Sequence, residues 1–393
     1  MTRTQRMRAE RLRRRRRRRA GALISVALLG VVAAVVFGPR LWQSISGPVT
    51  DYRGDGKQDL VIEVSPGDST TAVGETLYRQ GVVATVQAFI DAAHGNAKIA
   101  AIQPGFYRLR TQIPAASAVQ RLTDIDNRVG RLVIPEGRQL DDTTDLKTNE
   151  VTPGIFSLIS EASCVELDGD RRCVQVADLR NAAGSIPLTA LLVPRWAVDR
   201  VTAMGADHRR LEGLIAPGTW NVNPAAAAQD ILGALISSGT NSYAQSGLQD
   251  TATALQIAPY EVLLVASLVQ REAKPQDFAK VARVIYNRLL ARRALEFDST
   301  VNYPLDRWEV ATSDADRARH TPWNTYLLPG LPATPICSPG EEALAAAERP
   351  EPGDWLYFVT IDTDGTTLFT RDYQQHLANI ELAKRNGILD SSR

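Results

Sequence analysis

The feature that most constrains this chain is a run of 18 residues without a charge, Ala20 to Phe37 (AGALISVALLGVVAAVVF), directly behind a block of arginines from Arg13 to Arg19. As a helix the run would rise roughly 27 Å, close to the hydrocarbon thickness of a bilayer. The basic block would stay on the cytoplasmic side, and Trp42 suits the opposite interface. A cleaved signal peptide has a shorter apolar region and a small-x-small cleavage site. Pro39-Arg40-Leu41-Trp42 offers no such site. A nucleic-acid arm is a third reading of the arginine run. The favoured expectation is a single-pass plasma-membrane protein with a cytoplasmic tail (1–19), a transmembrane helix (20–42), a flexible linker (43–59) and an extracytoplasmic body.

Charge agrees with that division. The chain of 393 residues has a formal net charge of +1. Residues 1–19 hold 11 Arg against the single acid Glu10, so the remainder is acidic, with 34 basic against 43 acidic residues. An acidic body argues against a nucleic-acid partner, whose phosphates call for a basic face. Its length is enough for a two-domain body with sizeable cores.

Three cysteines, Cys164, Cys173 and Cys337, give no zinc pattern. Cys164 and Cys173 either close a small loop outside the cytoplasm or stay reduced. Cys337 reads as a small buried apolar residue. The four histidines are far apart in sequence, and neither a metal nor a cofactor is expected.

From Leu60 the pattern becomes regular. Leu60, Ile62 and Val64 alternate with polar residues as in a strand. Val73, Leu77 and Val82–Val83, then Gln87 to His94, are spaced as short amphipathic helices. Gly105 to Leu109 is strand-like, and Ala116 to Leu122 closes the unit with a helix. The expectation is a small α+β module over 60–125, followed by a larger α+β domain over 126–393 with its catalytic core at about 255–393. Leu132-Val133-Ile134 reads as a further strand, while 141–205 shows no clear pattern. Pro259 can open a helix, since its missing N–H is not needed at a first turn. Lys274-Pro275 ends that helix, and Asp277 to Arg292 forms the next. Trp355 to Thr360 and Thr367 to Thr370 pair about the turn signal Asp364-Gly365, and Tyr373 to Gly387 is a last helix.

No phosphate loop, zinc helix or nucleophile elbow is present, which leaves carboxylates. On the helix begun at Pro259, Glu272 continues the stripe of Val265, Leu268 and Val269. A carboxyl against apolar neighbours has its pKa raised, as a proton donor at neutral pH needs. The competing reading is a helix end emerging into solvent, with Glu272 paired to Arg271 or Lys274.

Ala266 to Ala273 (ASLVQREA) resembles the catalytic-helix pattern A-S-(I/L)-(I/V)-(E/Q)-(K/R)-E-(A/T) of the YceG-like family of endolytic murein transglycosylases. The likeness continues in VARVIYNRL at Val281–Leu289, FDSTVNY at Phe297–Tyr303 and PWNTYLLPGLPATPICSPG at Pro322–Gly340, and in LEGLIAPGT at Leu211–Thr219 and IPEG at Ile134–Gly137. There are departures. Gln270 stands where the family commonly has a first Glu, Ser299 replaces Pro, Gly218 an acid, Trp220 and Trp323 a Tyr, and Ser338 an Asn.

The resemblance implies a lyase acting on peptidoglycan glycan strands, with Glu272 as its catalytic acid and base and no second carboxylate required. Asp298, Glu212, Asn324, Tyr326 and Trp323 are the candidate substrate-binding residues. Asp298 is expected to hold structure or substrate, Asn324 and Tyr326 to hydrogen-bond sugar substituents, and Trp323 to stack on a sugar face. It also implies that the 60–125 module is LysM-like, and it points to peptidoglycan synthases of the penicillin-binding class as partners. The alternative is a membrane-anchored, non-catalytic wall-binding or scaffold protein of the division or elongation machinery.

Overall fold

The computed structural model describes residues 51–308 and 312–388. The expected tail and membrane helix, and residues 43–50 of the expected linker, lie outside them. Among the described residues no single helix is long and apolar enough to cross a membrane.

The architecture is α+β, with many short helices and several small sheets. It divides into two compact units. The smaller comprises, of the described residues, 51–56, 69–96 and 112–119; the larger comprises 57–68, 97–111 and 120–388. That division cuts through the expected 60–125 module, whose first two helices fall in one unit and whose strands fall in the other.

In the smaller unit, Ser69 and Thr85 cap the helices Thr70–Arg79 and Val86–Ala93, each accepting from an amide three residues on. Such caps satisfy donors that a helix leaves free at its start. The two helices approach closely at Gly74. A Cβ there would lie 3.1 Å from the Phe89 ring and 3.2 Å from the Val86 side chain, so any larger residue would need both to shift by a few tenths of an ångström.

The larger unit carries the strands. Asp59–Val64 pairs antiparallel with Gly105–Arg110, which pairs in turn with Arg128–Val129. Arg131–Ile134 pairs with Gly218–Asn221, joining two segments about 90 residues apart in sequence. The stretch 141–205 resolves into a short strand, Thr143–Asp145, the helix Ile155–Ala162, a small hairpin (Val165–Leu167 with Asp170–Arg172) and the helices Val176–Ser185 and Val198–Ala203. A Cys164–Cys173 disulfide closes the base of that hairpin. Cys337 is a free, buried thiol.

The core of this unit centres on the helix Pro259–Glu272. Residues 262–269 are all buried. Pro259 occupies its first turn, and Glu261 reaches back to the Ala258 amide at 3.2 Å. It packs on the helix Glu341–Glu348 and on the helices Leu248–Leu255 and Phe278–Leu290. The hairpin Tyr357–Thr360 with Thr367–Thr370 forms as expected, with Gly365 in its turn at φ 89°. The chain closes in the helix Tyr373–Arg385.

Candidate active site

Glu272 is the last residue of its helix. Ala273 is already extended (φ −141°), and Lys274 precedes a proline, which disfavours further α-helix. The stripe behind the acid, Val265, Leu268 and Val269, is fully buried. Each such side chain contributes about 1.5–3 kcal/mol by leaving water, so the helix end is held firmly.

Two segments meet Glu272 there. The first is the short helix Asp298–Asn302, which brings Ser299 and Asp298 to the carboxyl. The second is the loop 321–326. Its Thr325 hydroxyl accepts from the Phe297 amide at 3.0 Å and meets the Thr300 hydroxyl at 2.9 Å, locking the loop to the short helix.

Burial raises the Glu272 pKa to about 7. The Ser299 hydroxyl pulls it down, the Asp298 charge pushes it up, and Arg271 and the Ser299 amide pull it down again. Ser299 Oγ is itself buried without a partner in hydrogen-bond geometry. Its influence is that of a dipole close by, which a small approach would turn into a bond. Glu272 keeps part of its surface open to solvent, so the group is accessible as well as desolvated.

Asp298 is tightly held. Its Oδ1 accepts from the Thr312 hydroxyl (2.5 Å), the Tyr326 hydroxyl (2.9 Å) and Arg317 Nε (3.2 Å), and its Oδ2 accepts from Arg317 Nη2 at 3.3 Å. Burial pushes the Tyr326 phenol up, and Asp298 adds to that, so Tyr326 keeps its proton and donates. The Arg317 guanidinium also lies 5.2 Å from the Tyr326 ring centre. Glu272, Asp298 and Tyr326 thus come together.

Three other expected substrate contacts are spent on the protein. Asn324 is 1% exposed; its Oδ1 accepts from the Tyr326 amide, and its Nδ2 donates to the carbonyls of Arg317 (2.8 Å) and Arg319 (2.7 Å). It braces the loop, and through it Tyr326 and Arg317. Trp323 is buried, donates to the Thr334 hydroxyl at 2.7 Å and meets the Tyr303 ring edge-on at 5.3 Å. Glu212 is buried, accepts from the Leu140 amide (3.1 Å) and from the Tyr303 hydroxyl (2.8 Å), and is pushed up to about 8 by burial. All three side chains are buried.

Arg317 and Thr312 escaped the sequence reading, because no local pattern marks a residue whose partner lies many residues away, and Thr300 and Thr325 stand inside quoted motifs without having been given a role. Asp141 is another case. Burial works against its charge, but His208 (2.6 Å) and Arg180 (2.7 Å) more than offset this and hold its carboxyl below the usual range.

The helix is clamped from its other side by the stretch 336–340. Ser267 Oγ accepts from the Ile336 amide (3.2 Å), Cys337 Sγ donates to the Ser267 carbonyl (3.4 Å), and Gln270 Oε1 accepts from the Gly340 amide (2.8 Å). A cleft of about 540 Å³ opens beside this clamp, lined by Glu136, Tyr243 and Pro339 among others, but Glu272 is not part of its wall. Glu272 rather than this cleft marks the candidate site, because among the described residues it is the partly exposed carboxyl whose pKa is raised to about 7. Among the described residues no group of His, Cys, Asp or Glu is arranged to hold a metal.

A family model described as the YceG-like family matches residues 62–382. The chain is similar to an endolytic murein transglycosylase of Bacillus subtilis (strain 168), 26% identical over 330 residues, covering 82% of this chain and 84% of that protein. It is similar also to an endolytic murein transglycosylase of Streptococcus pneumoniae serotype 2, 25% identical over 374 residues, covering 91% of this chain and 63% of that protein. The chain therefore spans less than two thirds of the length of the pneumococcal relative. Among solved structures, a putative yceG-like protein from Listeria monocytogenes is 22% identical with a TM-score of 0.49, over 82% of this chain and 99% of that one.

Proposed function

The chain belongs to the YceG-like family, and on that premise we propose that it is an endolytic lytic transglycosylase of peptidoglycan, with Glu272 as its only proton-transferring residue. The observation that carries this reading is the Glu272 carboxyl, raised to about 7 by burial yet open at a helix end between Ser299, Asp298 and Tyr326. An acid with that pKa is about half protonated at neutral pH, which suits a group that must both give and take a proton.

The reaction is an internal transfer. The protonated Glu272 carboxyl donates to the oxygen joining MurNAc C1 to O4 of the next GlcNAc, and the C1–O4 bond breaks with its electron pair going to O4. The Glu272 carboxylate then takes the proton of the C6 hydroxyl on the same MurNAc, whose oxygen bonds to C1. The product is a 1,6-anhydro end, and no water is consumed. The nucleophile is already attached to the substrate, so most of its positioning entropy is prepaid. Asp298, fixed by Arg317, Thr312 and Tyr326, places a negative charge beside the acid and favours its protonated form. It is a positioning residue in this reading.

The cellular part of the proposal follows from the sequence. Residues 20–42 anchor the chain in the plasma membrane, the 60–125 segment adds LysM-like affinity for glycan, and cleavage of nascent strands ends their elongation next to a synthase. A digest of purified glycan strands with the outward part of the chain tests the chemistry. Products one water lighter than hydrolysis products, absent with Glu272→Gln, are expected. Reducing ends would make the chain a hydrolase. Binding with no cleavage at all would make it a wall-binding scaffold.

A further inference from the structure

Two guanidinium groups meet beside Glu272, and among the described residues neither forms an ion pair closer than 4 Å, although Arg271 acts on the Glu272 carboxyl through its charge. Arg271 immediately precedes Glu272, and its Nη1 lies 3.5 Å from the Gly137 carbonyl. The Gly137–Arg138 segment is fixed there by two bonds of 2.8 Å, from the Gly137 amide to the Ser338 carbonyl and from the Ser338 amide to the Arg138 carbonyl. Arg138 therefore stands beside Arg271. Its Nε is buried with no hydrogen-bond partner. Burial, and then the neighbouring Arg271 charge, lower its pKa, and no acid works against them.

Nearby residues do not supply the missing anion. The carboxyl of Glu136 is turned onto Gly340, so closely that a Cβ on Gly340 would meet Glu136 Cδ at 2.1 Å. Gln270, at a position where the family pattern admits Glu, is neutral and bonded to the Gly340 amide. Two adjacent cations, one with a buried N–H left over, cost the fold stability that a bound anion would restore.

We propose that Arg138 and Arg271 form an anion subsite that grips a carboxylate on the lactyl-peptide branch of the muramyl residue being cleaved, so that strands with charged branches are preferred. This rests on the reading of the chain as acting on muramyl glycan. The sugar backbone of such a strand is neutral, so carboxylates occur only on its branches. They are the peptide carboxyls, or the lactyl carboxyl where the peptide has been removed. The branch leaves the same ring whose C1 bond breaks, which puts its charge within reach of residues flanking the acid. A guanidinium fork matches a carboxylate with two parallel N–H donors. A bound carboxylate also cancels the Arg271 charge, one of the groups that draw Glu272 toward its ionised form.

Titration calorimetry on the full chain in detergent tests this, in a Glu272→Gln background that prevents turnover. Three soluble strand fragments of equal length are compared, with free peptide carboxyls, with amidated peptide carboxyls, and stripped to free lactyl carboxyls. At least one charged fragment should bind roughly tenfold tighter than the amidated one, and the ratio should shrink as salt is raised. The charged fragment that shows the preference identifies the source of the carboxylate. Adding Arg138→Gln should bring the ratio close to one. Arg138→Lys, which keeps the charge and loses the fork, should cut it severalfold, and it carries the test if the Gln variant melts early. Equal binding of all three fragments, or a ratio that survives both substitutions, overturns the proposal. A ratio that behaves as expected while the Glu272 chain leaves every fragment uncut keeps the subsite and sinks the catalytic reading alone.

Discussion

Replacing Asp298 by Asn and Arg271 by Gln should move the pH dependence of cleavage in opposite directions. Both side chains act on the Glu272 carboxyl, Asp298 raising its pKa and Arg271 lowering it. Asn keeps an oxygen that can accept from Thr312 and Tyr326, so Asp298→Asn removes charge with little change in shape. A unit charge about 6 Å from a carboxyl, at an effective dielectric of about 20, is worth roughly 2.8 kcal/mol. Arg317 sits on Asp298 at 3.2 Å and cancels much of that field. A residual of about 1 kcal/mol corresponds to somewhat under one pKa unit. The proton donor must be protonated, so activity falls as pH rises through the Glu272 pKa. The alkaline limb of kcat/KM should have its midpoint near pH 7 in the wild type, from the raised value of about 7. It should move down by somewhat under a unit in Asp298→Asn and up by a comparable amount in Arg271→Gln. Release of anhydro ends, followed by mass spectrometry from pH 5 to 9, measures both. Limbs that stay in place, or that move the same way in both variants, would refute the electrostatic account of how the acid is tuned. An inactive but folded Asp298→Asn would make Asp298 a second proton-transferring group and end the single-carboxylate mechanism.

Glu272→Gln should lower the cleavage rate by at least about 10²–10⁴-fold, measured as anhydro ends released. The same variant should be more stable than the wild type at pH 8, by up to about 3 kcal/mol, because the folded pKa of about 7 exceeds the ordinary carboxyl value of 4.5 and stability is lost as pH rises through that window. Melting curves at pH 4 and pH 8 check the sign, since the difference should vanish at the lower pH. Asn324→Ala should cost about 1–3 kcal/mol by stranding the carbonyls of Arg317 and Arg319, and should lower kcat more than it raises KM if loop bracing is its role; an unchanged kcat with normal melting would remove that role. Thiol counting under denaturing conditions should find one free thiol, Cys337. Reducing the Cys164–Cys173 bridge, which closes a loop with a sequence separation of 9, should cost roughly 2.5 kcal/mol on the loop-entropy account.

Much of the fold was legible because its longer elements carry a clear period. The helix Pro259–Glu272 shows its start in Pro259, its burial in an almost unbroken apolar run, and its end in Lys274-Pro275. The hairpin around Asp364-Gly365 shows alternation and a turn signal. The stretch 141–205 could not be read because its strands are two or three residues long, too short to display a period of two, and a disulfide does part of the work of a core. In the candidate site, the buried stripe behind Glu272 was legible in the sequence, while the choice of its carboxyl rested also on the resemblance. Asn324, Trp323 and Glu212 were the right residue types for a sugar but are used by the protein itself, and only three-dimensional partners reveal that. Arg317 and Thr312 could not be found at all, since their link to Asp298 depends on how two segments fold against each other.

Glu272 closes its helix rather than opening it, and the polarity of the backbone gives that position a consequence. The peptide dipoles of Pro259–Glu272 add along the axis, leaving partial negative charge at the end where the carboxyl sits, worth about 0.3–1 kcal/mol against a second negative charge there. A carboxylate at the opposite end would be stabilised by the same dipoles and would make a poor proton acceptor. Placed at this end, the ionised acid is uncomfortable from the moment it has protonated the leaving oxygen, and it recovers by taking the next available proton. Within the proposed reaction that proton belongs to the sugar's own C6 hydroxyl. The direction in which the helix runs therefore favours the return of the proton, and with it the closing of the anhydro ring, before water can intervene.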